Sequence, residues 1–308
     1  MGRARKNLPK AVEGQPLRSA DALLWGITRS RQRRADISHP HRGVARIPSD
    51  EPDDLGAVAS YEAIRLPGQF YSHATAARAH GIPMPGDAAR SLHVSVEAPR
   101  TAPKRPGVSG HSVRLARELT ADEAGRPVTS PEDTWIQLAS TLTAYDLVAA
   151  GDYLISERRR ETATLPALTT VERLADTANF YRSVRGAKKI AWALPRLRTG
   201  VASRPETHLR LILVDAGLPE PLVADPTPVE RGLVLHPDLK YRHARLLLEY
   251  EGDGHRTDDR QWRSDITRRE MFEAAGWRVM RVTSSDIYRD RVNFVRRVHR
   301  VTASRIAS

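Results

Sequence analysis

The sequence predicts an α/β (α+β) protein in which mixed sheets are flanked by helices. Residues 203–300 show helical and extended patterns in the order helix, strand, strand, helix, strand, helix. Residues 72–141 combine an Ala-rich helical stretch with an alternating strand. A length of 308 residues with 40% hydrophobic content suffices for one large domain or two ordinary ones.

Composition excludes several classes of protein. The chain has no cysteine, which excludes disulfides and thiolate zinc sites and suits a reducing cytoplasm. The first residues are basic but lack the apolar segment of a secretory signal. Because no run of 18 apolar residues occurs, we expect no membrane span and a cytoplasmic location.

The charge of the chain is strongly basic and uneven. The formal net charge is +12 and the pI is about 10.4, which favours nucleic acid as a partner. A generally basic proteome would explain the same composition. Residues 1–50 hold eleven Lys/Arg against four Asp/Glu, a net +7. More than half of the excess charge therefore lies in a sixth of the chain.

The order of elements within residues 1–50 is typical of a winged helix-turn-helix behind a basic tail. We expect a helix over 19–25, a turn at Gly26, a second helix over 29–36 capped by Thr28, and a wing over 39–47. The alternative is a solvated basic helix in a disordered tail. The DNA-contacting residues would be the arginines of the second helix and wing: Arg29, Arg31, Arg33, Arg34 and Arg42.

Residues 51–200 carry fewer signals. A helix over 72–80 is expected to be capped by Ser72 and closed by Gly81, and 92–99 alternates like a strand. No two histidines of this region share one helix face at ligand spacing, so we interpret them as structural or surface residues: His73, His80, His93 and His111. The boundary with the last region, 201–308, is expected near 199–202.

An unusual strand lies in the last region, where "LLLEYE" ends in two acids. Residues 232–241 and 246–251 predict two strands joined by a tight connection, and a loop centred on residues 243–244 sets Asp238 directly opposite Glu249. Glu251 follows on the same face. Protonation or a bound cation would relieve the repulsion, and oxygen ligands suit Mg²⁺ or Mn²⁺.

The helices around this hairpin have recognisable ends. Ser203 and Glu206 form a capping-box pattern at the start of a helix over 203–217. This explains Glu206 structurally, and a functional role requires that helix start to point at the hairpin. A helix over 258–276 contains Asp265 and Arg269 as an i,i+4 pair. A strand over 277–282 and a capped last helix follow.

The order Glu206, Asp238, "EYEGDGH" and Asp265 to Arg281 resembles the very-short-patch-repair-like endonuclease domain of the PD-(D/E)XK superfamily. The resemblance covers residues 203–300. The preceding region resembles AbiEi-type antitoxins and transcriptional regulators through "SHATAARAHGIP", "LHVSV" and "GRPVTSPEDTWIQLA". This second resemblance is looser. The two modules are often fused in such proteins.

The first resemblance implies metal-dependent hydrolysis of DNA phosphodiester bonds. Asp238 and Glu249 would hold Mg²⁺ or Mn²⁺, Glu206 would support the metal or its water, and His255 would act as a base or contact the phosphate. Position 251 holds Glu251 instead of the superfamily's lysine, and an acid there would be a further metal ligand. Lys240 is the weak alternative for the missing lysine, against the interpretation of a surface residue.

Two function classes therefore compete. The first is a DNA endonuclease with its own DNA-binding region. The second is a DNA-binding regulator of the antitoxin type whose nuclease fold is inactive. The expected partner is DNA, with a toxin or a second copy of the chain as further partners.

Overall fold

The computed structural model describes residues 10–46, 56–86, 91–160, 163–252 and 259–304. The chain is an α+β protein, as the sequence predicts. It divides into two compact units. Unit 1 comprises Met1–His80 and Gly86–Ser130, and unit 2 comprises Gly81–Pro85 and Pro131–Ser308. Within the described ranges, every helix is too short or too polar to cross a membrane.

Unit 1 begins with a small module of two antiparallel strands, two 3₁₀ turns and one short α-helix. Strand β1 (Pro16–Arg18) pairs with β2 (Val44–Arg46), and α1 (Arg29–Gln32) lies between them in sequence. Gly26 turns the chain at φ 73°, and the Thr28 hydroxyl accepts a hydrogen bond from the Arg31 N–H at 3.3 Å. The predicted turn and cap are therefore confirmed.

Both of the helices predicted for this module are shorter in the structure. The segment expected as the first helix forms only a 3₁₀ turn at Asp21–Leu23, after a similar turn at Lys10–Val12. The core beneath them is small: Val12, Ala22, Ile27, Ile37 and Ala45. A core of this size covers about one turn of each helix, which is too little to stabilise longer ones.

The rest of unit 1 is built around a five-stranded sheet with the order β5-β4-β3-β7-β6. Its elements are α2 (Gly56–Glu62), β3 (Gln69–Tyr71), α3 (His73–Ala79), β4 (Leu92–Glu97), β5 (Val108–Val113), β6 (Thr120–Ala121) and β7 (Pro127–Val128). Strands β4 and β5 are parallel, with His93 opposite Ser109 and Ser95 opposite His111. This register places His93 and His111 on neighbouring strands.

Ser72 stands at the N-cap position of α3 but makes no capping hydrogen bond. Its hydroxyl bonds instead to the Ser95 hydroxyl at 2.6 Å and to His73 Nδ1 at 2.9 Å. The predicted cap is therefore wrong in its chemistry, because nearby polar groups occupy the hydroxyl. Gly81 does follow the helix in the left-handed conformation, at φ 73°.

Unit 2 is mostly helical before its main sheet. The elements are α4 (Pro131–Leu138), α5 (Ala144–Ile155), β8 (Arg158–Arg160), β9 (Ala163–Leu165), α6 (Val171–Phe180), α7 (Ala187–Ala193) and α8 (Arg204–Asp215). A 3₁₀ turn over Leu194–Arg196 follows α7. Helix α8 begins at the predicted cap, where the Ser203 hydroxyl accepts from the Glu206 N–H at 3.4 Å.

The second half of unit 2 forms a four-stranded sheet with the order β10-β13-β14-β15. Its elements are β10 (Leu222–Val223), β11 (Thr227–Pro228), β12 (Val234–Leu235), β13 (Leu239–Tyr241), β14 (Leu246–Glu251), α9 (Asp259–Ala274), β15 (Arg278–Thr283), α10 (Ser284–Tyr288) and α11 (Arg291–Ser304). A 3₁₀ turn occupies Glu230–Gly232. Strand β14 runs antiparallel to β13 and parallel to β15, so the sheet is mixed.

The predicted hairpin register is confirmed, since Leu239 lies opposite Leu248 and Lys240 opposite Leu247. The strand expected over 232–241 is interrupted, however. Strand β12 pairs with β11 in a separate sheet, and Pro237 lies between β12 and β13. Proline has no N–H for a strand ladder, which accounts for the break.

The two units do not divide at the predicted boundary near 199–202, which lies inside unit 2. Helices α5 and α8 pack across that position. Thr207 donates to Asp152 at 2.8 Å, and the buried Arg210 guanidinium donates to the same carboxylate at 3.1 Å. Because a broken buried ion pair is costly, these bonds keep the helices on both sides together. The family modules 1–50, 51–200 and 201–308 stay predictions.

Candidate metal centres

Three of the predicted site carboxylates come together at one end of the unit 2 sheet. Glu206 lies in the first turn of α8, Asp238 immediately precedes β13, and Glu249 lies in β14. Only 8% of Glu206 is exposed, and Asp238 and Glu249 are half-buried. The charges of Asp238 and Glu249 act on Glu206, so the start of α8 lies near the hairpin, as a functional role of Glu206 requires.

Each of these carboxylates is held by the chain around it. Glu206 accepts from the Ala202 N–H at 3.0 Å and from the Ser203 hydroxyl at 2.7 Å. Asp238 accepts from the Tyr250 N–H at 2.7 Å, which fixes it beside the strand that carries Glu249. Glu206 therefore has partners at the start of α8, although the capping-box bond to the Ser203 N–H is replaced by one to the Ala202 N–H. It also belongs to the carboxylate cluster, which we define as Glu206, Asp238 and Glu249.

Burial and mutual repulsion disfavour the charged forms of the cluster. Burial raises the pKa of Glu206 to about 7, and the negative charges of Asp238 and Glu249 contribute to that rise. Burial and the charge of Asp238 likewise raise the pKa of Glu249 to about 7. Burial also raises the pKa of Asp238, against the hydrogen bond from Tyr250. The cluster therefore retains protons at a pH where isolated carboxylates are ionised.

Glu251 does not join this cluster, although it lies on the same face of β14 as Glu249. Its carboxylate forms an ion pair with Arg281 of the neighbouring strand β15. The sequence predicts convergence of Asp238, Glu249 and Glu251; the structure instead groups Asp238 and Glu249 with Glu206. The pairing of β14 with β15, which brings Arg281 alongside, accounts for the difference.

A basic residue that the sequence did not single out lies at the cluster. Arg268 of α9 approaches Glu249 at 3.5 Å, lowers the pKa of that group, and also donates to the carbonyl of His236. Arg269, predicted as a supporting residue, pairs with Glu273 at 2.8 Å instead. Neighbouring helix residues point about 100° apart, so the phase of α9 decides which arginine reaches the sheet.

Of the predicted site residues, His255 lies outside the described residues, as does the side chain of Asp265. Lys240, considered as a substitute for the missing lysine, is 4% exposed and so is not a surface residue. Its ammonium donates to Asp225 at 2.8 Å and to Thr227 at 2.9 Å. These bonds, rather than the carboxylate cluster, account for its burial.

The predicted DNA-contacting arginines differ in their surroundings. Arg29, Arg33, Arg34 and Arg42 are exposed. Arg31 forms a bidentate ion pair with Asp36, with N–O distances of 2.7 and 2.6 Å. The Arg31 side chain is only 16% exposed. The exposed arginines are therefore the better candidates for phosphate contacts, and Arg31 stabilises the module.

A second cluster, in unit 1, consists of His73, His93 and His111. One ring nitrogen of each lies within 4.8 Å of the others, and no other set in the described part of the chain is as close. His93 Nδ1 and His111 Nε2 are 2.9 Å apart. His80 stays outside this histidine cluster and bonds to the Thr129 carbonyl at 2.7 Å. The structural-or-surface interpretation did not foresee this grouping.

The histidine cluster could not be found by a search for ligand pairs on one helix, because its members come from three elements. His73 is the first residue of α3, His93 lies in β4 and His111 in β5. A usable signal was the alternation in 92–97 and 108–113, which fixes the faces of the two strand histidines. Their register across β4 and β5 is a tertiary feature.

Comparisons with known proteins give distant relatives. The chain matches no protein-family profile. It is 25% identical over 275 residues to the Uncharacterized protein Rv2248 of Mycobacterium tuberculosis H37Rv and, equally, to the Uncharacterized protein MT2308 of strain CDC 1551. The matches cover 86% of this chain and 94% of each relative. The crystal structure of the RV2827C protein from M. tuberculosis aligns at 17% identity with a TM-score of 0.40, covering 59% of this chain and 71% of that one.

Proposed function

We propose that this chain is a cytoplasmic DNA-binding protein whose region 201–308 hydrolyses DNA phosphodiester bonds with Mg²⁺ or Mn²⁺. The observation that carries the proposal is the carboxylate cluster. Burial raises the pKa of all three acids, and the charge of Asp238 adds to the rise for Glu206 and Glu249, whose pKa values reach about 7. Carboxyl groups with such perturbed pKa values are typical of functional sites.

The donor set of the cluster fits a hard divalent cation. Carboxylate oxygens are the ligands that Mg²⁺ and Mn²⁺ prefer, and a cation would offset the repulsion among the acids. Asp238 and Glu249 would hold the ion, and Glu206 would support it from the start of α8. Such an ion supplies polarisation of the phosphate and a lowered pKa of the attacking water.

The chain's own residues assist in defined ways. Tyr250 orients Asp238 through its backbone N–H, and Arg268 approaches Glu249 and brings a positive charge to the site. Since Lys240 is bonded to Asp225, we propose Glu206 and His255 as the candidate bases for the attacking water. Glu251, paired with Arg281, would reach the ion only after leaving that partner.

A second function is supported by specific observations. Neither residue considered for the role of the superfamily's lysine is available among the described residues. Glu251 is paired with Arg281, and Lys240 is bonded to Asp225. The exposed arginines in and just after α1 would serve a regulator as well as a nuclease. These features favour an antitoxin-type DNA-binding regulator with an inactive nuclease fold, with a toxin or a second copy as partner.

A cleavage assay separates the two functions. The full chain would be incubated with plasmid, single-stranded and mismatched DNA in Mg²⁺, Mn²⁺ or EDTA. We expect metal-dependent cleavage that Asp238→Asn reduces by more than about 100-fold, beyond the usual effect of a residue outside the ligand shell. Asp290→Asn, an exposed acid in the same unit, serves as the control.

Stability supplies the second measurement on the same variants. Asparagine keeps an acceptor for the Tyr250 N–H and removes a repelling charge, so the metal-free Asp238→Asn variant should be at least as stable as the wild type. A less stable variant that still cleaves DNA would make Asp238 a structural residue. Absence of cleavage by the wild type with either metal on all three substrates would favour the regulator.

A further inference from the structure

The histidine cluster of unit 1 has the composition of a transition-metal site. His73, His93 and His111 are half-buried, and their ligating atoms lie within 4.8 Å of one another. In a tetrahedral site with Zn–N bonds of about 2.0–2.1 Å, ligand atoms stand about 3.4 Å apart. One pair, His93 Nδ1 and His111 Nε2, is already closer than that, at 2.9 Å. To reach the spacing of a tetrahedral site, the three ligand atoms need to move toward one another by about 1.4 Å or less.

The three imidazoles are held side by side by stacking. The rings of His73 and His111 have centroids 3.9 Å apart at an interplanar angle of 18°, and His93 lies 5.1 and 5.2 Å from the other two. Burial lowers the pKa of His93 to about 4, and burial also lowers the pKa of His73 and His111. The neutral form of an imidazole, which burial favours, carries one nitrogen of the kind that ligates metals.

The surroundings orient the histidines as the outer shell of a metal site does. The Ser72 hydroxyl lies 2.9 Å from His73 Nδ1 and is itself bonded to Ser95. The Thr75 hydroxyl accepts from the His93 backbone N–H at 2.8 Å. Of these bonds, only the one between Ser72 and His73 reaches a ring, and such outer-shell bonds fix the orientation and tautomer of a ligating histidine. Ser72 thus orients His73 instead of capping α3.

The backbone at His73 adds an independent observation. Its φ is 48°, in the left-handed region that few residues other than glycine adopt. Such a conformation is strained, and strained residues are concentrated at functional sites. At the first residue of α3 it directs the imidazole toward the rings on β4 and β5.

We propose that His73, His93 and His111 form a binding site for Zn²⁺ or a similar transition-metal ion, with three imidazole ligands and a fourth position open to water. Imidazole suits Zn²⁺, Cu²⁺ and Ni²⁺, whereas the carboxylate cluster suits Mg²⁺ and Mn²⁺. The two sites lie in different units and differ in ligand chemistry. The inference does not depend on the proposed nuclease activity.

One neighbouring charge opposes a cation at this site. Arg78 lies close enough to His93 to lower its pKa electrostatically, so it also repels a bound metal. An anionic fourth ligand, such as hydroxide, would offset that charge. The test therefore measures the affinity of the site for Zn²⁺.

The test uses the full chain without a polyhistidine tag, stripped with EDTA and titrated with Zn²⁺ against a chromophoric chelator. We expect one tight equivalent per chain that excess Mg²⁺ does not displace. Co²⁺ should give the visible absorption of a four-coordinate ion with nitrogen ligands. Zn²⁺ should also raise the melting temperature, because a ligand that binds the folded state stabilises it.

Substitutions test which histidines bind the Zn²⁺ ion. His111→Asn on the edge strand β5 should weaken Zn²⁺ binding by about 100-fold or more, above the range for outer-shell changes. The matched control is His299→Asn, an exposed histidine of unit 2. Circular dichroism checks the fold of each variant, and His93→Asn repeats the test if His111→Asn does not fold.

Two results would overturn the proposal. One is a wild-type chain that binds no Zn²⁺ at micromolar concentration and gives no Co²⁺ absorption. The other is tight binding that the histidine-cluster variants and His299→Asn weaken equally. In either case the three histidines would form a neutral stacked cluster with a structural role only.

Discussion

At the scale of single residues, the candidate nuclease site depends on carboxyl groups that the fold holds in unfavourable surroundings. Glu206 accepts hydrogen bonds from the Ala202 N–H and the Ser203 hydroxyl at the start of α8, and the charge of Asp238 repels it. A helix start also favours negative charge. Burial and the neighbouring acids nevertheless raise the pKa of Glu206, so these two effects outweigh the hydrogen bonds and the helix start.

These shifts predict a pH dependence of stability in the absence of metal. The pKa of Glu206 and of Glu249 rises from 4.5 to about 7 on folding. Between these values the folded chain binds more protons than the unfolded chain, so stability falls as pH rises. The loss between about pH 4.5 and 7 should be on the order of a few kcal/mol.

Urea unfolding in EDTA at a series of pH values measures this effect. The double variant Glu206→Gln, Glu249→Gln should have a flatter profile than the wild type over the same window. Glu273→Gln, an exposed acid of α9, should leave the profile unchanged. Parallel profiles for the wild type and the double variant would show that the two acids ionise normally in the folded state.

At the scale of elements, the N-terminal helix is short but has the predicted turn and cap at its start. Thr28 caps α1, and a single buried side chain, Gln32, anchors it by donating to the carbonyls of Ser19 and Ile27. Arg31 is drawn back to Asp36. The exposed positive charge in and just after this helix therefore belongs to Arg29, Arg33 and Arg34.

A salt titration tests this element. Replacement of Arg29, Arg33 and Arg34 with alanine should weaken duplex binding and reduce the salt slope by about 0.9 for each phosphate that is no longer neutralised. The triple variant Arg289→Ala, Arg296→Ala, Arg300→Ala removes the same charge from exposed positions of unit 2 and should change the slope less. Equal effects of the two triple variants would assign binding to net charge alone.

At the scale of the whole molecule, DNA binding and cleavage are expected to be separable. The basic helix belongs to unit 1 and the carboxylate cluster to unit 2. The α1 triple variant should bind DNA more weakly yet cleave at saturating DNA concentration. Glu249→Gln should abolish cleavage and keep the affinity for DNA, because it alters the metal ligands and none of the arginines predicted to bind phosphate.

Paired binding and cleavage titrations of these two variants at low and physiological salt measure the separation. Absence of cleavage at saturation in the arginine variant would mean that α1 also positions the scissile bond. A weaker affinity of Glu249→Gln would mean that unit 2 supplies the main DNA-binding surface. A wild type that binds but never cleaves would support the regulator.

The sequence by itself determined the features that follow from local chemistry. The turn at Gly26, the cap at Thr28, the start of α8 at Ser203 and the hairpin register that sets Asp238 opposite Glu249 all depend on residues close in the chain. Caps and tight turns satisfy backbone groups within a few residues, and strand alternation follows from the pleat. These features could therefore be predicted without knowledge of the packing.

Only the tertiary structure decided what depends on elements distant in the chain. The parallel pairing of β14 with β15 allows Glu251 to form an ion pair with Arg281. The phase of α9 places Arg268 beside Glu249. The register of β4 and β5 joined His93 to His111, with His73 supplied by α3. Such contacts depend on the register and packing of whole elements, which side-chain periodicity within one element does not specify.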